Sequence, residues 1–486
     1  MPNKKDHLLV IGVNTGNSLD AADALLTVFD QSGDMRDVLF HSNEYPDSLK
    51  DELRQFREHI VAADGNVDAV AASTLQLLPG IKRYTTFVAQ TVNDLVEKAR
   101  TNTELAAAYD LSSIDAIGFH GQTCAHKPPS MAASKQDAFT VQIGDGQLMA
   151  DLTNITTIYD FRSDDIINGG EGAPLAPMHN RHIAEILEKR GEFPITFINA
   201  GNTSNLAHIT RHAKGELTVV GWDAGPCNDF IDLLMRKEKN LPYDEDGTHS
   251  QSGKINLHLL RVLFEKSAVT PDGENFLEKA PPKSSDPQWY IAPDMLFDPS
   301  ILFEDRLRTA AYFSAYLLFH SFGYTNEALD LPARIALAGG GWKNPVVRHH
   351  FTTLLEGDFE NNPVLPEHRA RFESIRKRLD GKTVSVRFSQ DYGFDGQAME
   401  ARLFADMARC RIMGTPFTDP ALTGCTRPAV CGIIRYPQKS PDNASANLRA
   451  WLATHPCAHA PHDNPDIFNE KWSRASAGWD KKLSSK

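Results

Sequence analysis

The sequence predicts an α/β protein in two lobes, each a mixed sheet flanked by helices, with a cleft between the lobes. Three observations carry that expectation. The chain has 486 residues, more than one hydrophobic core usually serves. One local plan occurs twice: an apolar strand opens into a small polar turn and resumes as a second strand, at VIGVNTGNSLDAADALLTVFD (residues 10–30) and again at PITFINAGNTSNLAHIT (residues 194–210). Finally, the apolar run in ARIALAGGGWKNP (residues 333–345) empties into three glycines.

The first strand is rich in Val, Ile and Leu and breaks at Asn14, Thr15, Gly16, Asn17 and Ser18. Such a turn is either a tight hairpin, for which Gly and Asn are the usual residues, or an anion nest. In a nest, successive backbone N–H groups and hydroxyls hold phosphate without a basic patch. Residues 45–108 read as helical, with Leu53, Phe56, Ile60 and Val61 near helical spacing. The stretches IDAIGFHGQT (114–123), AFTVQIGDG (138–146) and ITTIYDFR (155–162) read as strands that each stop in polar residues.

At residues 201–204 the second hairpin offers the same choice of readings as the first, and the recurrence is a weak internal repeat. The three glycines suit a place where backbone approaches a flat ligand, because glycine has no Cβ to obstruct it; a plain loop before a helix is the other reading. YGFDGQAMEARLFADMAR (392–409) has the strongest helical pattern. Beyond residue 437 the chain turns rich in Pro, Asn, Ser, His and Trp without apolar period, an appended tail. The expected division is a first lobe over 1–152, a second over 153–412, a return to the first over 413–437, and the tail over 438–486.

Composition narrows the chemistry. Hydrophobic residues at 41% and charged residues at 23% describe an ordinary globular protein. A net charge of -13 disfavours a phosphate-neutralising surface for nucleic acid, so a small-molecule substrate is expected. Six cysteines without CxxC spacing argue against a zinc site or a disulfide framework, as expected of reduced thiols in the cytoplasm. The start, MPNKKDHLLVIGV, offers too few apolar residues for a signal segment or a membrane span. There is no GxxxxGK[ST], and the GxG patterns lack a βαβ setting, so neither a P-loop nor a dinucleotide fingerprint is supported.

Two strand-turn-strand phosphate loops from duplicated halves, followed by a Gly-rich strand for adenosine, is the layout of the actin-like (ribonuclease H-like) ATPases and sugar kinases. Within that layout the chain resembles the anhydro-N-acetylmuramic acid kinase family. The resemblance runs collinearly over about residues 8–437, through GVNTGNSLDAAD (12–23), IGFHGQT (117–123), QIGD (142–145), DFRSDDIINGGEGAPLAP (160–177), NAGNTSN (199–205), WDAGPCNDFID (222–232), PYDEDG (242–247), PPKS (281–284), AGGGWKNP (338–345) and TGCTRPAVCG (423–432). It implies an ATP- and Mg²⁺-dependent enzyme that opens a 1,6-anhydro sugar with water and phosphorylates O6, giving N-acetylmuramate 6-phosphate in cell-wall recycling. It also implies a homodimer. A related kinase for another anhydro sugar such as levoglucosan, and a sugar-binding homologue without turnover, stand as alternatives.

That chemistry needs a base for water and donors for the phosphoryl charge. Asp223 in WDAGP matches the family's catalytic base, although Asp before Gly is also a common cap or turn residue. The resemblance assigns the nucleotide to Gly16, Asn17, Ser18, Leu19, Asp20 and Asp23, to Gly201 and Asn202, and to Gly339, Gly340, Gly341 and Asn344. Asp20 and Asp23 would stand near the metal, with a turn-ending cap as the other reading of Asp20. His120, Gln122, Asp160, Arg162 and Glu400 match positions facing the sugar. Arg162 suits a lactyl carboxylate because its planar fork binds that group bidentately; a salt bridge to Asp160, Asp164 or Asp165 is the competing reading. His120 could equally be a core histidine, and Glu400 an exposed helix residue. Asn17, Asn202, Ala224 and Cys227 stand where the family usually has Thr, Gly, Thr and Gly.

Overall fold

The computed structural model describes residues 7–438 apart from 17, 18, 20, 74–75, 131, 133, 135–136, 212–214, 216, 271–272, 281–282, 284–289, 325–330, 332–333 and 381. The tail from residue 439 on lies outside the described residues. In chain order the strands are β1 (His7–Thr15), β2 (Ala21–Asp30), β3 (Met35–Glu44), β4 (Ala116–Phe119), β5 (Gln122–Lys127), β6 (Phe139–Ile143), β7 (Thr157–Tyr159), β8 (Ile195–Ala200), β9 (Ser204–Arg211), β10 (Leu217–Gly225), β11 (Arg334–Ala338), β12 (Ser385–Phe388) and β13 (Ile433–Arg435).

The apolar run of β1 is buried over almost its whole length, as a strand in mid-sheet must be. It pairs antiparallel with β2 and parallel with β4, in a sheet of order β13-β7-β4-β1-β2-β3. The second sheet has order β10-β9-β8-β11-β12. There β8 pairs antiparallel with β9 and parallel with β11, and β11 runs parallel to β12. The five strands β3-β2-β1-β4-β7 and the five strands β10-β9-β8-β11-β12 therefore share one order and one pattern of directions. The repeat that two turns hinted at is a repeat of whole sheets, and this is the duplicated actin-like plan. β5 and β6 form a separate two-stranded ribbon.

Two compact units follow from this. Among the described residues, those up to His179 and those from Ala398 on form one, and Asn180–Gln397 the other. The sequence boundaries at 152 and 412 thus differ from the observed ones, for two physical reasons. β7 pairs in parallel with β4 and so belongs to the first sheet. The Met399–Met413 helix lies directly on that sheet: a Cβ on Gly12 would stand 1.8 Å from the Ala401 carbonyl oxygen, and one on Gly118 2.0 Å from that of Phe404. Gly12 and Gly118 are register partners, so the pair makes a notch that only glycine permits. Arg402 on the same helix is buried and donates to Asp37 from Nε at 2.7 Å and from Nη2 at 2.5 Å. These contacts set the height of the helix on the sheet and, with it, the place of Glu400.

The helical reading of residues 45–108 resolves into helices Asp47–Ala62, Val67–Ser73, Leu77–Thr101 and Thr103–Ala108. The helix read over 392–409 begins only at Met399, because Gly393 takes a φ of +89° after a short 3₁₀ turn at Ser389–Tyr392. In the second unit the Phe303–Ser321 helix is buried on nearly every side and carries the core of that unit with Leu234, Leu263, Trp342 and Phe351. Five cysteines, Cys124, Cys227, Cys410, Cys425 and Cys431, are free and buried; Cys457 lies outside the described residues. Among the described residues no helix is long and apolar enough to cross a membrane.

Candidate functional site

In the first unit the β1–β2 register places Asn14 opposite Asp23. The turn between the strands closes with the Leu19 N–H donating to the Gly16 carbonyl at 3.2 Å. Leu19 has φ +60° and its side chain is buried in the core, so what it can offer a ligand is backbone. Asn17, Ser18 and Asp20 lie outside the described residues. Beneath the turn, the Thr15 hydroxyl donates to the Gly121 carbonyl at 3.0 Å and stands 2.8 Å from the Tyr84 hydroxyl. Gln122 is buried, and its Nε2 donates to the Gly16 carbonyl at 3.4 Å. Gln122 thus braces the first turn.

Beside the turn, Asn14 Nδ2 donates to Glu400 Oε2 at 2.5 Å, and the Ser42 hydroxyl donates to Asp23 at 2.6 Å. Glu400 is solvent-accessible on the first turn of its helix, yet surrounding protein raises its pKa. Asp23 raises it further by repulsion, while Asn14 and Arg162 oppose. His120 is buried and stacks on Phe404, with ring centroids 4.3 Å apart. Burial and the neighbouring Arg162 charge push its pKa well down, so the ring is neutral and its Nε2 accepts from Arg162 Nε at 2.9 Å.

Arg162 Nη1 donates to the Gly172 carbonyl at 2.8 Å. Burial lowers its pKa to about 10 against the pull of Glu400 and Asp165, which leaves it cationic. The salt bridge weighed from the sequence is not the one the structure makes. Asp165 accepts from the Gly172 N–H at 2.7 Å and the Thr423 hydroxyl at 2.8 Å, Asp164 accepts from the Gly432 N–H, and Asp160 accepts from Ser163. Thr423 and Gly432 of the TGCTRPAVCG stretch therefore hold Asp165 and Asp164, while His120 and Gly172 take the Nε and Nη1 donors of Arg162. Asp160 sits at φ +56° just past β7, a conformation uncommon outside glycine though tolerated by Asp.

In the second unit the β8–β9 turn spans Gly201, Asn202 and Thr203, with Ala200 opposite Ser204. The Gly201 carbonyl accepts from the Asn228 N–H at 3.3 Å, tying the turn to the start of the Asn228–Lys239 helix. Asn202 is exposed and its Nδ2 donates to Asp232 at 3.4 Å. Burial raises the pKa of Asp229 and of Asp232, with the Asn202 amide opposing in both.

The three glycines that follow β11 are not equivalent. Gly339 has φ +93°, and a Cβ there would stand 2.4 Å from the Ala200 carbonyl oxygen; on Gly341 it would stand 2.6 Å from Asn228 Oδ1. Around Gly340 nothing lies within 4 Å, which is the open face a flat ligand requires. Asn344 is occupied structurally: its Oδ1 caps the Pro345–Glu356 helix by accepting from the Val346 N–H at 2.9 Å, and its Nδ2 points to Asp244 at 3.5 Å. An Asn directly before Pro at a helix start is the local signal of that cap.

Asp223 lies near the end of β10, partly exposed, opposite Asn205. Its N–H donates to the Lys283 carbonyl at 2.9 Å, and a bulge between Asp223 and Gly225 turns the strand. Cys227, where the family usually has glycine, adopts φ +49° and is buried, with its thiol pushed up to about 12. Glu278, His320 and His368 bring a carboxylate and two imidazoles within 4.8 Å of one another. A cation already stands there: Arg371 Nη1 is 2.8 Å from His320 Nε2 and 3.3 Å from Glu278. Lys283 and Asn228 lie in stretches that the sequence singled out without giving either a role, and Asn14 and Thr15 were read only as part of the first turn.

Duplicated sheets with matching hairpins, one of them backed by an open Gly-rich strand end, define an actin-like protein of the kinase kind. The chain belongs to the anhydro-N-acetylmuramic acid kinase family, whose model it matches over residues 8–364. Curated relatives of that name include one from Rhizorhabdus wittichii, 28% identical over 440 residues, covering 88% of this chain and 99% of the relative. One from Brucella canis is 29% identical over 435 residues, covering 87% and 97%, and one from Vibrio cholerae is 28% identical over 432 residues, covering 88% and 98%.

Proposed function

We propose that the protein is an ATP-dependent kinase that opens 1,6-anhydro-N-acetylmuramic acid with water and phosphorylates its O6, releasing N-acetylmuramate 6-phosphate and ADP. The observation that carries the reading is Asp223, a partly exposed carboxylate at a strand end held by hydrogen bonds on both edges. Water is a weak nucleophile toward the anomeric carbon, and a positioned carboxylate that takes its proton lowers the barrier. As the water oxygen bonds to C1, the C1–O6 bond breaks and O6 takes the γ-phosphoryl group of ATP.

The phosphoryl group needs donors and fixed geometry rather than covalent help from the protein. The backbone of Gly16 and Leu19 with Asn17 and Ser18 at the first turn, and Gly201 with Asn202 at the second, are our donors, while Gly339, Gly340 and Gly341 leave room for adenosine. Arg162 takes the lactyl carboxylate with the donors that His120 and Gly172 leave over; Asp160 and Glu400 face the sugar hydroxyls. Mg²⁺ suits the first turn, since the repulsion between Asp23 and Glu400 is what a hard cation relieves. Asp23, with Asp20, would hold it, and the ion would offset phosphate charge. The reading includes a homodimer in the cytoplasm serving cell-wall amino-sugar recycling.

Asp223→Asn tests the assignment: turnover should fall about a thousandfold while calorimetry finds ATP binding kept. An unchanged rate refutes Asp223 as the base.

A further inference from the structure

Arg162 is aimed by a chain of hydrogen bonds that starts in the TGCTRPAVCG stretch. Asp165 is fully buried, and a carboxylate so placed needs donors on its oxygens. It accepts the Thr423 hydroxyl on Oδ1 at 2.8 Å and the Gly172 N–H on Oδ2 at 2.7 Å. The Gly172 carbonyl in turn accepts from Arg162 Nη1 at 2.8 Å. Gly172 has φ +68°, a conformation glycine adopts without strain, so fixing its N–H also sets the direction of its carbonyl. The loop is wound tightly on the carboxylate, since a Cβ on Gly170 would stand 2.4 Å from Asp165 Oδ2. Two backbone bonds join the same segments: the Glu171 N–H donates to the Thr423 carbonyl at 2.8 Å, and the Thr426 N–H to the Asn168 carbonyl at 2.9 Å.

We propose that Thr423 and Asp165 are positioning residues for Arg162: acting through Gly172, they fix the direction in which its guanidinium meets the carboxylate of the substrate. The inference rests on Arg162 being the partner of that carboxylate. A planar fork recognises a carboxylate by direction as well as by charge, so its plane has to be set before the substrate arrives. His120 on Nε at 2.9 Å and Gly172 on Nη1 are the two anchors that set it. His120 is steadied by its stack on Phe404, and Gly172 by Asp165 and Thr423. Without the Thr423 hydroxyl, a buried carboxylate loses one of these two donors, and the loop that carries the Gly172 carbonyl shifts to compensate.

The test is a double-mutant cycle on steady-state kinetics with 1,6-anhydro-N-acetylmuramic acid. Thr423→Val removes the hydroxyl at nearly constant shape and should raise KM for the sugar about tenfold, with kcat and KM for ATP kept. Thr423→Ser, which keeps the hydroxyl, should restore the wild-type KM. Asp165→Asn should act in the same direction, because its amide sets an N–H against one of the two donors. In an Arg162→Met background Thr423→Val should add nothing, since the two changes break one chain. The proposal is overturned if Thr423→Val and Asp165→Asn leave KM for the sugar unchanged, if they lower kcat or raise KM for ATP instead, or if Thr423→Val raises KM equally with and without Arg162. If Arg162→Met by itself leaves KM for the sugar unchanged, the carboxylate reading of Arg162 fails instead, so the two failures are distinct.

Discussion

At the first hairpin the turn hangs on side chains: Thr15 on Tyr84 and Gly121, Gln122 under Gly16, Leu19 in the core, and Asn14 on Glu400. At the second hairpin one long side-chain bond, Asn202 to Asp232, accompanies backbone contacts: Asn228 N–H on Gly201, and glycines that let β11 end against Ala200. Equivalent strands of duplicated sheets have thus reached a polar turn by two routes. A turn held by side chains should fail gradually as individual bonds are lost, whereas one held by clearance should fail at a single added Cβ.

The sharpest break of this contrast is Gly339→Ala. With φ +93° and a carbonyl oxygen 2.4 Å from the new Cβ, it should cost about 2 kcal/mol of folding stability, read by denaturant titration, and should weaken ATP binding as well. Gly340→Ala separates ligand from fold. Its Cβ meets nothing within 4 Å, so stability should stay within about 0.5 kcal/mol of wild type while calorimetry shows weaker ATP binding. Equal loss of stability in both variants would erase the distinction between the glycines.

The smallest effect belongs to the first hairpin. The pKa of Glu400 is raised, by the protein packed around it first and then by Asp23, so the folded protein holds that proton more tightly than the unfolded chain. Its unfavourable contribution is therefore present above the folded pKa and is relieved as pH falls through it. Glu400→Gln should raise the melting temperature relative to wild type at pH 7, and this advantage should shrink as the pH is lowered through the raised pKa. A difference independent of pH would mean that the Glu400 charge is not under the strain described.

Much of this was legible in the chain because it is local. An apolar run ending in Gly, Asn and Thr states a strand and its turn, and two such runs plus three glycines marked the two hairpins and the end of β11. The cap that Asn344 makes was also legible, since Asn-Pro states a helix cap in two residues, but the neighbouring glycines drew the functional reading alone. The Phe303–Ser321 helix carries no amphipathic period, since a helix buried on nearly all sides has no polar face to reveal it. Lys283 was out of reach for another reason: its hold on Asp223 joins positions far apart in sequence, and no local pattern encodes such a pair. The notch of Gly12 and Gly118 is of the same kind, two ordinary strand glycines until β1 and β4 are paired.

The central claim is that a carboxylate-activated water and ATP act on one anhydro sugar. It is tested most directly by incubating the wild-type protein with ATP, Mg²⁺ and 1,6-anhydro-N-acetylmuramic acid, with levoglucosan in a parallel reaction, and identifying products by mass spectrometry and phosphorus NMR. The account predicts N-acetylmuramate 6-phosphate in step with ADP, and levoglucosan left unused. ADP released without sugar phosphate, or levoglucosan consumed in preference, would contradict it.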